Sequence, residues 1–167
     1  MYKKIDLFFS IINILLLNYQ SLETMEPIRF ANWKGPNGIE QYIIEKTGCK
    51  PFSGAGINPR PDKNTTILRS VDNTYYYDDN MSDIYYPKYT LFGHNGDQDE
   101  NEKRFNEPLL NKDKTKHIYL YRVAKTSENK TEYLWYGKYE IVGKNTKLHQ
   151  GNDKRLRYII VLSLKLL

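Results

Sequence analysis

Between Tyr75 and Gln98 the chain sets six tyrosines beside four aspartates, with a Gly-x-x-Gly turn from Gly93 to Gly96. Flat rings offer stacking faces, and ionised carboxylates are acceptor-only groups. A nucleobase taken out of its stack is held between such faces and read by hydrogen bonds to its Watson–Crick edge. A carboxylate accepts from an exocyclic amine, such as N4 of cytosine. The same residues could equally build the core and rim of a barrel, with the aspartates in turns. Residue types alone weigh the two alike.

Other chemistries find less support. Cys49 precedes Lys50-Pro51 with no histidine in a motif around it, which reads as a buried or incidental thiol. His94, His117 and His149 lie far apart, without ligand spacing for zinc. No nucleophile elbow, phosphate loop or His-Glu-x-x-His motif occurs. The run Gly96-Asp97-Gln98-Asp99-Glu100-Asn101-Glu102 lacks the ligand order of a calcium loop. A magnesium nuclease has its nearest approximation in Pro61-Asp62 with Glu128-Asn129-Lys130, a pattern that chance supplies readily. No metal or cofactor is expected.

Charge is unevenly spread along the 167 residues, whose net charge is +5. Residues 25–69 hold seven basic and four acidic side chains, residues 70–111 three and nine, residues 112–167 thirteen and five. A basic C-terminal part beside an acidic aromatic segment suits a polyanion gripped by one region and inspected by the other. A solvated lysine-rich surface is the plainer account of charge alone.

Something must position these side chains. Mean hydropathy is −0.70, yet 15 residues are Tyr, so burial depends on rings more than on aliphatic runs. That composition favours strands. The spacing of Ile39, Tyr42 and Ile43 predicts a helix from Gly38 to Lys46, with Gly48 at its C-terminal cap and Pro51 beyond it. Strands are expected over Thr65–Val71, Tyr85–Leu91, His117–Ala124, Glu132–Gly143 and Leu156–Leu166. A helical turn is expected at Phe105–Leu110, and a hairpin tip at Lys125–Thr131. One antiparallel sheet closing into a barrel, with one or two short helices, is the economical architecture.

Residues 1–24 read as an apolar extension or leader ahead of a single domain, residues 25–167. The run from Leu7 to Leu17 is shorter than the roughly 20 residues of a membrane span. It has the shape of a signal peptide without a small-x-small cleavage site, so secretion stays open behind an appended helix. The sequons at Asn64, Asn80 and Asn129 add little in an Asn-rich chain.

A series of short motifs then falls in a familiar order over residues 54–164. It runs Ala55-Gly56-Ile57-Asn58-Pro59-Arg60, Tyr76-Tyr77-Asp78-Asp79, Tyr89-Thr90, Gly93, Asp97-Gln98 and Asn106-Glu107-Pro108-Leu109. It continues with His117–Arg122, Tyr136-Gly137-Lys138-Tyr139-Glu140-Ile141-Val142 and Arg157-Tyr158-Ile159-Ile160. In this the chain resembles the SRA (SET- and RING-associated, or YDG) domain family, PUA-like barrels that recognise modified bases in DNA. It is most similar to the compact versions linked to modification-dependent restriction enzymes.

The resemblance implies a mainly β, α+β fold: a PUA-like, SRA-type twisted antiparallel barrel. It implies that Tyr76 and Tyr89 sandwich a flipped modified cytosine and that Asp79 accepts from its amino group. Asp78 replaces Asp79 if the register slips by one. Gly93, Gly96, Asp97 and Gln98 would shape the pocket floor and its turn. Arg60, Lys138, Lys144 and Lys147 are the expected contacts to the DNA backbone. The implied partner is double-stranded DNA with a modified base, in an intracellular setting (nucleus or cytoplasm), with a separate nuclease or regulator conceivable. The implied role is binding without catalysis. Many such domains carry a long loop after the glycine turn, whereas Gly93-His94-Asn95-Gly96 runs directly into Asp97 here. A compact metal-dependent endonuclease and a PUA-like RNA-binding or interaction barrel are the alternative expectations.

Overall fold

The longest strand is made of twenty residues, Thr131–Gln150, and it changes neighbours halfway along. The computed structural model describes residues 25–167 except 53, 72–80, 94–95 and 152–153. Within them the order is β1 (Ile28–Phe30), α1 (Ile39–Thr47), β2 (Ile57–Arg60), a 3₁₀ turn (Pro61–Lys63) and β3 (Thr65–Val71). It continues with β4 (Lys88–Thr90), α2 (Asn106–Leu110), β5 (His117–Lys125), β6 (Thr131–Gln150) and β7 (Leu156–Leu166). The sheet has seven strands in the order β2-β3-β5-β6-β7-β4, with β1 added on β6.

The first half of β6, as far as Tyr139, pairs with β5, and from Tyr139 onward it pairs with β7. Handing over partners this way coils the sheet on itself. Bulges at Tyr136 (opposite Leu120/Tyr121) and at Val142 (opposite Leu164/Ser163) sharpen the bend. The fold is thus mainly β, with a curled sheet and two short helices.

Two expectations are corrected. The sheet is mixed: β3 and β5 run parallel, Thr65 beside His117 through Val71 beside Val123, while the other pairings are antiparallel. A parallel pair needs a long crossover. The chain between β3 and β5 supplies it, and periodicity within a strand carries no trace of strand direction. Second, the list of strands was incomplete: Ile57–Arg60 forms β2, where Pro59 is tolerated because the strand lies at the sheet edge.

The expected Tyr85–Leu91 strand is regular only over Lys88–Thr90. Its flanks still bond β7, through Leu166 N–H to Tyr85 O, Leu164 N–H to Pro87 O and Leu91 N–H to Ile160 O. Pro87 has no N–H, so the ladder cannot be continuous. The helix expectation holds within a residue, and Gly48 caps it in the left-handed region at φ 68°. The hairpin tip also falls where expected, closed by Thr126 N–H to Lys130 O.

Two apolar clusters stabilise the sheet from opposite faces. The larger gathers Ile57, Leu68, Leu91, Leu109, Leu120, Tyr139 and Leu162 inside the curl. The smaller packs Ile39, Ile43 and Cys49, from α1 and its exit, on Ile67, Tyr121 and Trp135. Cys49 is buried there, and burial pushes its thiol pKa up. The reading as an unreactive thiol fits this setting. No described helix is long and apolar enough to cross a membrane.

Candidate nucleic-acid interface

Tyr89 lies on β4, the last strand of the sheet path, and only 3% of it is exposed. Its hydroxyl donates to the Gly56 carbonyl at 2.7 Å and lies 3.3 Å from the Arg69 carbonyl. Gly56 leads into β2, the opposite edge strand, so a side chain joins two edges that no ladder joins. Tyr89 is therefore a wall of the curl. A base stacking on it must displace something that covers the ring now.

Tyr76, Asp78 and Asp79 lie outside the described residues. The chain on their C-terminal side is anchored by two phenols of β6. Tyr136 donates to Met81 O at 2.5 Å, and Tyr139 to Ile84 O at 2.6 Å. Both phenols are buried, and burial holds the Tyr139 pKa far above the ordinary tyrosine value. Asp83 accepts the N–H groups of Tyr85 and Tyr86 as a turn residue. The Tyr136-Gly137-Lys138-Tyr139 motif thus supports the aromatic–acid segment from beneath. Sequence reasoning quoted these tyrosines without giving them a role: three apart on a strand they would face opposite ways, and the bulge at Tyr136 brings both into the inner cluster.

The glycine turn is held just as closely. Gly93 (φ 141°) and Gly96 (φ 66°) adopt backbone conformations that a side chain disfavours. A Cβ on Gly93 would also meet Cγ of Gln98 at 3.1 Å. Gln98 donates to Leu91 O at 2.5 Å and accepts the Ile160 N–H at 2.7 Å. Asp97 accepts the Tyr158 N–H at 2.7 Å. The guanidinium of Arg157, buried on β7, donates to Gly93 O. The side chains of Asp97 and Gln98 therefore serve the main chain.

Asn106, at the start of α2, is fully buried and was given no role from sequence. It accepts the Phe92 N–H at 2.9 Å and donates to Phe92 O and Asp99 O at 2.9 and 2.8 Å. Asn58 does the same for the Ala55–Gly56 entry, accepting the Phe52 N–H and donating to Ala55 O and Ile67 O. A buried amide with its groups satisfied by main chain fixes a loop strongly.

The expected backbone contacts are dispersed. Arg60 donates to Lys50 O and stacks over the Phe52 ring, 4.2 Å from its centroid. Lys144 pairs with Glu100, and both are exposed. Lys138 is half-buried and Lys147 exposed, both on β6. A cleft of about 880 Å³ beside Lys144, between α2 and β6, lies apart from Tyr89 and the glycine turn. No group of described residues is arranged to hold a metal ion.

A scan of the sequence against protein-family models finds no match, and a search of the curated proteins finds none. Solved structures do match the fold. The DNA recognition domain of the cytosine modification-dependent restriction endonuclease LpnPI aligns at a TM-score of 0.59 and 9% identity, over 86% of this chain and 73% of that one. KRYPTONITE, in complex with mCHG DNA and SAH, aligns at 0.57 and 15%, over 85% of this chain and 32% of that one. The sulfur binding domain and SRA domain of ScoMcrA, complexed with phosphorothioated DNA, align at 0.51 and 18%, over 88% of this chain and 41% of that one. The chain thus spans less than half the length of KRYPTONITE and of the ScoMcrA chain. At these identities the likeness is one of fold.

Proposed function

We propose, for a chain with the fold of the SRA-type domains, that it binds DNA carrying a modified base, most simply a modified cytosine, and catalyses no reaction itself. The base enters the region between Tyr89, the Met81–Ile84 anchor and the Gly93–Gln98 turn. Tyr76 and Tyr89 supply ring faces, and Asp79 accepts from the exocyclic amine. Lys138, Lys144, Lys147 and Arg60 contribute phosphate affinity. The observation that carries this reading is the support of Met81–Ile84 and of Gly93, Asp97 and Gln98. Phenols of β6 hold Met81 and Ile84, Arg157 holds Gly93, and Asp97 and Gln98 bond β7. Such rigidity is what a recognition pocket needs, because a binding group not held in place adds ordering cost to each association.

The test is Asp79→Asn with matched duplexes, one carrying a single 5-methylcytosine. The amide keeps the size of the side chain but can turn an NH₂ toward the base's own amine. Losing that contact costs roughly 1–3 kcal/mol, or about ten- to a hundredfold. Affinity for the unmodified duplex and the melting temperature should stay as in the parent. A variant that keeps the parent's preference makes Asp79 a turn residue and ends the pocket reading.

A further inference from the structure

Past the glycine turn, β6 and β7 run on as a two-stranded arm. β5 parts from β6 at Tyr139, so Gly143–Gln150 has only β7 beside it. On the other side of β7, regular pairing with β4 ends at Val161, and the turn's bonds to β7 run from Ile160 to Arg157. Beyond that no third strand flanks the arm among the described residues.

The outer part of the arm has an unusual surface. Leu148 and Tyr158 are direct cross-strand partners, and Leu156 faces the same way two residues from Tyr158. They are 57%, 54% and 65% exposed. Exposed cations lie nearby, Lys154 and Arg155 in the connection and Lys147 on the opposite face of β6. From residue 141 to 158 Asp153 is the only acid, against five Lys and Arg. A ribbon of two strands is marginal in water by itself. Apolar and aromatic side chains set among cations suit nucleic acid, with cations at phosphates and the rest against sugars and bases. The arm is also continuous with the candidate site. The Tyr158 N–H bonds the Asp97 carboxylate, and the Gln98 N–H bonds Tyr158 O at 2.9 Å.

We propose that this arm is a second DNA contact, lying along the duplex next to the base held at the turn. Lys154 and Arg155 take phosphates, and Leu148 and Tyr158 lie against sugar and base edges. The inference rests on the DNA-binding reading above and adds to it the surface that grips the flanking duplex.

Two double variants of the full chain test it. Lys154→Asn with Arg155→Gln removes two charges, and Asn suits the left-handed backbone at Lys154 (φ 61°). Leu148→Thr with Tyr158→Thr removes the apolar pair and keeps strand preference. Each is titrated by fluorescence anisotropy against matched duplexes with and without one 5-methylcytosine, over a range of salt. The charge variant should weaken binding to both duplexes equally and flatten the salt slope by about two units. The apolar variant should weaken both about tenfold, as loss of one stacking contact does, with the slope unchanged. The preference for the modified duplex should survive in both variants. If both bind as the parent does, the arm is not a contact, and the base-pocket reading stands or falls separately on Asp79→Asn. If the parent sediments as a dimer that Leu148→Thr/Tyr158→Thr dissociates, the face is an interface between copies and the proposal fails. A parent that binds neither duplex removes the DNA reading and this inference with it.

Discussion

The phenol of Tyr89, on one edge strand of the sheet, donates at 2.7 Å to the carbonyl of Gly56, at the entry to the other. That bond does what a ladder would do in a closed barrel. It also means that the residue holding the curl shut is the one whose ring the proposed pocket needs. The two roles separate in Tyr89→Phe, which keeps the ring and deletes the donor. Stability should fall by about 0.5–1.5 kcal/mol. Selectivity for the modified duplex should persist, because stacking needs only the ring face. Thermal unfolding and duplex titration read the two effects independently. A loss of selectivity without a loss of stability would show that the hydroxyl contacts the ligand instead.

Gln98 works as a two-way strap, since its amide donates to Leu91 and accepts from Ile160 at once. In Gln98→Glu the carboxylate keeps the Ile160 bond but faces the Leu91 carbonyl without a proton. The cost should be about 1–3 kcal/mol at neutral pH. Protonation restores the donor, so the new carboxyl has a raised pKa when folded. Its neutral form stabilises at low pH, and that stability is lost as pH rises. The gap between variant and parent should therefore narrow in acid. A gap independent of pH would mean that the strap acts through shape alone.

Two buried phenols make opposite predictions. Tyr139 donates to Ile84, so Tyr139→Phe should destabilise by about 0.5–1.5 kcal/mol. Tyr121 is fully buried, and its hydroxyl has no partner among the described residues. Tyr121→Phe should therefore cost nothing or raise the melting temperature, since an unsatisfied buried hydroxyl is itself unfavourable. Burial raises both pKa values above the ordinary one near 10. The neutral phenols then contribute fully below that value, and their contribution is lost as pH climbs past it. Either substitution should soften the alkaline loss of stability seen in chemical denaturation.

Phosphate contact is read from salt. Lys138→Gln and Lys147→Gln should each flatten the dependence of affinity on salt by about one unit, with modified and unmodified duplex affected alike. Lys144 has to exchange Glu100 for a phosphate, a small cost because exposed ion pairs contribute about 0–1 kcal/mol. Binding that ignores salt would argue against a nucleic-acid partner altogether.

What the sequence determined by itself was local. The nine-residue helix with its Gly48 cap, the strands Thr65–Val71 and Leu156–Leu166 and the hairpin tip before Thr131 were legible because each depends on neighbours along the chain. The order of the short motifs also pointed to the SRA-type fold, which the compared structures share at identities of only 9–18%. Tertiary structure alone decided the rest. The parallel pairing of β3 with β5 leaves the alternation of side chains intact, and the midway change of partner in β6 depends on strands remote along the chain, so no local pattern records either. The role of Gln98 was hidden for a related reason: its partners are seven residues back and 62 residues ahead. A side chain that bonds remote main chain looks, in sequence, like one that awaits a ligand, because both demand the same polar group.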